Sequence, residues 1–179
     1  NKDEPTLEIM KAYREHIVKM FRFFGFSEQA ARDRMERILS LENRIAETSL
    51  SATELRDVEA NYNKMSIADF RKTYPAFPLD GLMKAKGINE KYYQHLVLGQ
   101  PKFMAGLNAI LKDINVEDLR AKLEWDAINE ASDVLGDAVA AEAFDFGGRV
   151  MSGRQVDYPR WRKATSLVQV ILGEPLGKI

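Results

Sequence analysis

Only two histidines occur in the 179 residues, His16 and His95, and neither has a second histidine three or four positions away. A zinc-binding His-Glu-x-x-His helix needs that spacing to set two imidazoles on one face with a glutamate beside the bound water, and the chain has no such motif. Each histidine therefore reads as a partly buried packing residue. Gly148-Arg149-Val150-Met151-Ser152-Gly153 has the glycine spacing of a phosphate-binding loop, but Arg154 and Gln155 follow where that loop needs Lys and Ser or Thr. No Gly-x-Ser-x-Gly elbow exists to expose a serine nucleophile. Glu42 falls seven residues after Met35 on an apolar helical stripe. It is read either as a general base or metal ligand, or as a carboxylate tying two helices together through a partner such as an arginine, since an unpaired buried carboxylate costs several kcal/mol. Arg149, Arg154, Arg160, Arg162 and Lys163 gather around Trp161. That cluster suits an anionic group or a stacked base, and equally a solvated helix start paired with neighbouring carboxylates. Asn61-Tyr62-Asn63-Lys64 reads as a rigid turn whose side chains satisfy loop backbone, or as a contact with a second domain.

The elements that must position these residues are mainly helical. Ile9, Tyr13, Ile17, Met20 and Phe24 recur at the helix period, Gly25 stops that helix, and Ser27 stands at the next N-cap. Ala31, Met35, Ile38, Leu39, Ile45 and Ala46 continue the apolar face, completing an αα-hairpin. The stretch from Leu41 to Met65 reads as an amphipathic helix that breaks into a polar segment. Ser66 caps a short helix through Phe70; Pro75, Pro78 and Gly81 mark a turn-rich segment. Tyr92 to Gly99 reads as one short extended strand ahead of Pro101. Pro101 opens a helix carrying Phe103, Leu107, Ile110 and Leu111, and Asn115 caps the next, which carries Leu119, Leu123 and Ala127. Ala138, Ala141 and Phe144 suit close backbone approach; Asp157 and Pro159 open the last helix, with Trp161, Ala164, Val168 and Ile171.

Composition sets the outer bounds. With 45% hydrophobic and 30% charged residues and a formal net charge of -1, the chain fits one domain or two small lobes and exerts no long-range pull on phosphate backbones or anionic lipid. It has no apolar run near the roughly 20 residues that span a bilayer, and the absence of cysteine excludes disulfides and thiolate metal sites. No two carboxylates are marked out by a buried apolar setting, Glu42 standing alone, which leaves an intact small enzyme using Glu and Asp pairs without support.

A set of residues in a fixed order carries a resemblance. Glu42, Leu55-Arg56-Asp57, Tyr62-Asn63-Lys64-Met65, Gln100-Pro101, the Trp125 helix, Phe144 and Phe146, Ser152-Gly153, Pro159-Arg160-Trp161-Arg162 and Gly173-Glu174-x-Leu176-Gly177 follow one another along the chain. Together they resemble the helical amino-terminal domain of neprilysin-like and endothelin-converting-enzyme-like zinc metallopeptidases, from Tyr13 to the end. Ala164 stands where some animal members carry a disulfide-forming cysteine, so a bacterial-type, disulfide-free member is the better match.

The resemblance implies a mainly α fold of αα-hairpins with at most one short strand or hairpin, residues 1–179 forming one helical domain, the non-catalytic lobe of a larger two-domain peptidase. It implies that the zinc ligands and the substrate-holding segment lie in a carboxy-terminal domain that these residues do not include. No catalytic, cofactor-binding or metal residue of the family transfers to a position here. The expected role is a lid over a cavity that admits short peptides, with zinc in the parent enzyme, peptide substrates, the catalytic domain as partner, no nucleic acid and an extracytoplasmic location. The terminal Leu176-Gly177-Lys178-Ile179 reads as a cut within a longer chain, and an apolar patch is expected where the catalytic domain docks and copies self-associate. An autonomous helical binding or scaffold protein is the alternative.

Overall fold

The computed structural model describes residues 3–177. It is mainly α-helical, as the resemblance implies. The helices are α1 (Glu4–Phe23), α2 (Glu28–Thr48), α3 (Ile67–Thr73), α4 (Leu79–Ala85), α5 (Pro101–Asp113), α6 (Val116–Ala131), α7 (Asp137–Ala143) and α8 (Arg160–Leu176). Two strands, β1 (Asn63–Ser66) and β2 (His95–Leu98), pair antiparallel with Asn63 opposite Leu98 and Ser66 opposite His95. No helix among the described residues is long and apolar enough to cross a membrane. The chain forms two compact units, Asn1–Arg32 with Asp126–Ile179, and Asp33–Trp125.

In the first unit, Asp3 caps α1 by accepting from the Thr6 N–H at 3.1 Å, and Pro5 sits in the first turn, where its missing N–H costs nothing. One face of α1 buries His16, Ile17, Val18, Met20 and Phe21. Phe24, read from the sequence as part of that stripe, is exposed, because the helix has ended and Gly25 turns the chain at φ +84°. Ser27 Oγ accepts from the Ala30 N–H at 3.2 Å and starts α2. On α7 the sequence reading of Ala138 and Ala141 as the packing face is corrected: both are exposed, and Val139 and Glu142 are buried. The chain then passes into a wider π-helical turn, Phe144–Val150. There the ring of Phe144 lies where a side chain on Gly148 would stand: a Cβ at Gly148 would fall 2.2 Å from Phe144 Cε2.

In the second unit, Met35, Ile38, Leu39 and Leu41 of α2 are buried, as are Ala121 and Trp125 of α6. Leu119, Leu123 and Ala127, which the sequence offered as the α6 stripe, face outward, with Leu123 59% exposed. Ion pairs join α2 to α5 and α6: Arg34 to Glu124 at 2.8 Å, Arg37 to Asp118 at 2.5 Å and Arg44 to Asp113 at 2.9 Å. Ala46 is exposed rather than part of the apolar face. The amphipathic helix expected to open the Leu41-to-Met65 stretch ends at Thr48, and the polar segment after it holds a 3-10 turn at Glu54–Arg56 and strand β1. A small core of Ile67, Phe70, Tyr74, Leu79 and Leu98 seats the sheet against α3 and α4. Ser66 caps α3 through the Asp69 N–H at 3.0 Å, and Asn115 caps α6 through the Glu117 N–H at 2.8 Å.

Candidate functional site

The most heavily buried polar constellation lies in the first unit and was not foreseen. His16 Nδ1 lies 3.1 Å from Glu142 Oε1, and Lys19 Nζ lies 3.1 Å from Glu142 Oε2. A carboxylate only accepts, so Nδ1 carries the proton and donates. The imidazole is 3% exposed and stacks on Phe146, with centroids 4.8 Å apart and planes 14° off parallel. Burial lowers the His16 pKa from the ordinary histidine value, against the opposing pull of Glu142, so the ring is neutral at pH 7. A substrate cannot reach a group so enclosed, and all three polar partners are committed to one another. The cluster is a polar fastening between α1 and α7. Glu142 lies three residues after Val139 on one helical face, which is the only local sign of its burial; its partner is 126 residues away.

Glu42, the sequence candidate for a buried base, is half-buried, and its Oε1 sits 3.6 Å from Lys122 Nζ. The partner shown is a lysine rather than the expected arginine, and the role is the bland one of joining α2 to α6. His95 is exposed on β2, in the second unit, while His16 is in the first. Among the described residues, no three of His, Cys, Asp and Glu come together as a metal site. Gly153, at φ +65°, closes a helical turn with its N–H on Arg149 O at 3.1 Å; the apparent phosphate loop is a helix end. Asn61 donates to Glu54 O at 2.9 Å and Asp57 O at 2.7 Å, and Asn63 to Ala60 O at 2.8 Å and Leu98 O at 3.1 Å. These bonds fix the turn at Asn61, while Asn63 and Lys64, read from the sequence as part of that turn, belong to β1 and pair with Leu98 and Val97 of β2.

The basic cluster divides into two kinds. Arg149 pairs with Asp145 one turn back, and Lys163 binds Asp133 at 2.9 Å and Asp157 at 2.5 Å. Hydrogen bonding to Asp157 raises the Lys163 pKa. Burial presses the Asp157 carboxyl upward, yet Lys163, the Tyr158 N–H and the charge of Arg154 hold it below the usual carboxylate value. Arg154 and Arg162 instead lie over the Tyr158 ring, 4.9 and 4.2 Å from its centroid. Among the described residues, neither they nor Arg160 make an ion pair. Beyond them α8 is exposed along its length: Trp161 is 69% exposed, Val170 83% and Ile171 64%. The exposed helix α8 thus presents a surface that is largely apolar, with arginines near its start.

Comparison with known proteins places that surface in a family. The amino-terminal model of Peptidase family M13 matches residues 1–179. Endothelin-converting enzyme 1 of Bos taurus is 23% identical over 176 residues, covering 95% of this chain and 23% of that protein. Neprilysin-3 of Drosophila melanogaster is 23% identical over 188 residues, covering 100% of this chain and 24% of that protein. The open-state structure of the Mycobacterium tuberculosis zinc metalloprotease Zmp1 superposes with a TM-score of 0.92 at 28% identity, over 99% of this chain and 28% of that one. The chain thus spans about a quarter of the length of the relatives it matches. The chain belongs to peptidase family M13, and its fold is that of the helical amino-terminal region of Zmp1.

Proposed function

We propose that these residues form the non-catalytic lobe of a zinc metalloendopeptidase that cleaves short peptides, acting as a lid that walls the substrate cavity. The zinc ligands belong to a carboxy-terminal domain that these residues do not include. The observation that carries the reading is the agreement of 99% of this chain with 28% of an M13 zinc metalloprotease, beside a buried and a half-buried carboxylate, Glu142 and Glu42, that are paired with His16 and Lys122. A lobe of this kind contributes by excluding bulk water and by limiting substrate size, while the metal supplies carbonyl polarisation and water activation in its own domain. Peptides are the substrate class and the catalytic domain is the partner; an extracytoplasmic location follows from the same family reading.

The test compares the native gene product with residues 1–179 alone. The native product binds zinc and cleaves a short fluorogenic peptide, and loses cleavage on chelation. Residues 1–179 alone take up no stoichiometric zinc and cleave nothing. Peptide cleavage by the purified 179-residue chain that disappears on substituting one of its own residues sinks the proposal.

A further inference from the structure

Helix α8 is the largest element of the first unit that leaves its apolar side chains uncovered. None of its described residues is buried, and Trp161, Leu167, Val168, Val170, Ile171 and Leu172 are all more than 40% exposed. At the helical period these residues share one wide arc, with Gln169, Ser166 and Thr165 on the other side. Arg160, Ala164, Leu167 and Ile171 follow at steps of four, three and four, so the arc begins at a guanidinium. A 17-residue helix is marginal in water without an apolar face packed against something, and an arc of this width is not a solvated surface.

The basic end adds direction. Arg154 and Arg162 both lie over the ring of Tyr158 and Arg160 follows two residues after it in the sequence, three cations within nine residues that make no ion pair among the described residues. Asp157, an acid close to Arg154, is already bonded to Lys163. Clustered guanidiniums repel one another until an anion arrives, and their planar forks suit carboxylates.

We propose that the apolar arc of α8 together with Arg160, which opens that arc, is one docking surface, taken by an amphipathic helical segment that carries carboxylates at one end and comes from the part of the M13 polypeptide these residues do not span. Charge complementarity fixes the direction in which that segment lies: its acidic end meets Arg160 and its apolar face runs toward Leu172. The chain covers only 28% of the M13 structure that it matches at a TM-score of 0.92, so such a segment has ample polypeptide to come from. The inference rests on the reading of this chain as one lobe of a longer peptidase.

The experiment uses the full native gene product with a photo-crosslinking benzoylphenylalanine in place of Ile171, and in a control in place of Gln169 on the opposite arc. Mass spectrometry is expected to find the Ile171 product within the same molecule, on a segment outside residues 1–179 that has an apolar helical face and Asp or Glu at one end. Gln169 is expected to give little product. Arg160→Glu lowers the Ile171 yield about tenfold, the effect of losing a charge-assisted bond. Crosslinks to a second copy, to residues within 3–177, or to a segment without acids overturn the inference, as does no product at all. Zinc-dependent peptide cleavage, measured on the same preparation, separates the two failures. Cleavage without the expected crosslink overturns the inference alone, whereas the expected crosslink without cleavage overturns the peptidase reading and leaves the docking surface standing.

Discussion

Removing the Glu142 carboxylate should be among the more costly single changes in the first unit. In Glu142→Ala, His16 keeps its place among Ile17, Phe21 and Phe146 at 3% exposure and loses the acceptor for its Nδ1–H. A buried donor left unsatisfied costs about 1–3 kcal/mol, and the void left by the deleted side chain adds about 1 kcal/mol or more. Lys19 contributes little to the loss, because at 56% exposure it returns to water. The sum is about 2–4 kcal/mol, a large share of a typical domain's stability. Glu142→Gln keeps an oxygen for the histidine and should lose roughly 1 kcal/mol. Urea titration followed by far-ultraviolet circular dichroism measures both, with hydrogen exchange of the α1 and α7 amides assigning the loss to this unit. A Glu142→Ala protein within about 0.5 kcal/mol of the parent would refute the claim that this carboxylate fastens α1 to α7.

Three further outcomes are expected. Folding stability falls as pH drops below about 6.5, because the His16 pKa is lowered in the fold: the unfolded chain takes up a proton there that the native ring resists, so the contribution is full above that pH and lost beneath it. His16→Phe should flatten that part of the pH profile of urea midpoints. Gly106→Ala destabilises by about 1–3 kcal/mol, since the added Cβ would stand 2.2 Å from Thr48 Cγ2, and combining it with Thr48→Gly recovers part of the loss in a double-mutant cycle. Val170→Asp and Ile171→Lys raise the solubility of the isolated 179-residue chain and cut its binding of an apolar-surface dye; unchanged dye binding would mean that α8 is not the sticky face.

What the sequence made legible was local chemistry. Ser27, Ser66 and Asn115 each cap the helix expected of them, Pro101 opens α5, and Gly25 takes the positive φ that ends α1. These are decided within three or four residues, where side-chain type dictates the backbone bond. Choices of face were less legible. On α6, Leu119, Leu123 and Ala127 lie nearly opposite Ala121 and Trp125, so the period admits two stripes, and it is packing from distant residues that buries the tryptophan. Strand β1, Asn-Lys-Met-Ser, has no β-branched or aromatic residue and owes its conformation to pairing with β2 some thirty residues on. The buried carboxylate shows the same limit: Glu42 and Glu142 both sit on apolar helical faces, and only the position of His16 distinguishes them. The identity of the family, by contrast, was carried by short motifs in order, which survive the ambiguity of any one helix.

The distribution of matched and unmatched charge argues for where function resides. Several buried or half-buried ionic groups are paired inside their units: His16 and Lys19 with Glu142, Arg34 with Glu124, Lys122 with Glu42, Lys163 with Asp133 and Asp157. A catalytic centre would show the opposite, a titratable group held out of balance and open to a ligand. The imbalance here lies outside, where Arg160 opens an uncovered apolar arc. Burial of both by one partner would remove the exposed arc from water and neutralise the cation in a single event. Neither half alone accounts for the arrangement, since an apolar arc by itself invites indiscriminate association, and exposed arginines by themselves bind weakly. Combined on one helix, they give a surface on which the apolar arc supplies affinity and the charges set the orientation in which a neighbour docks.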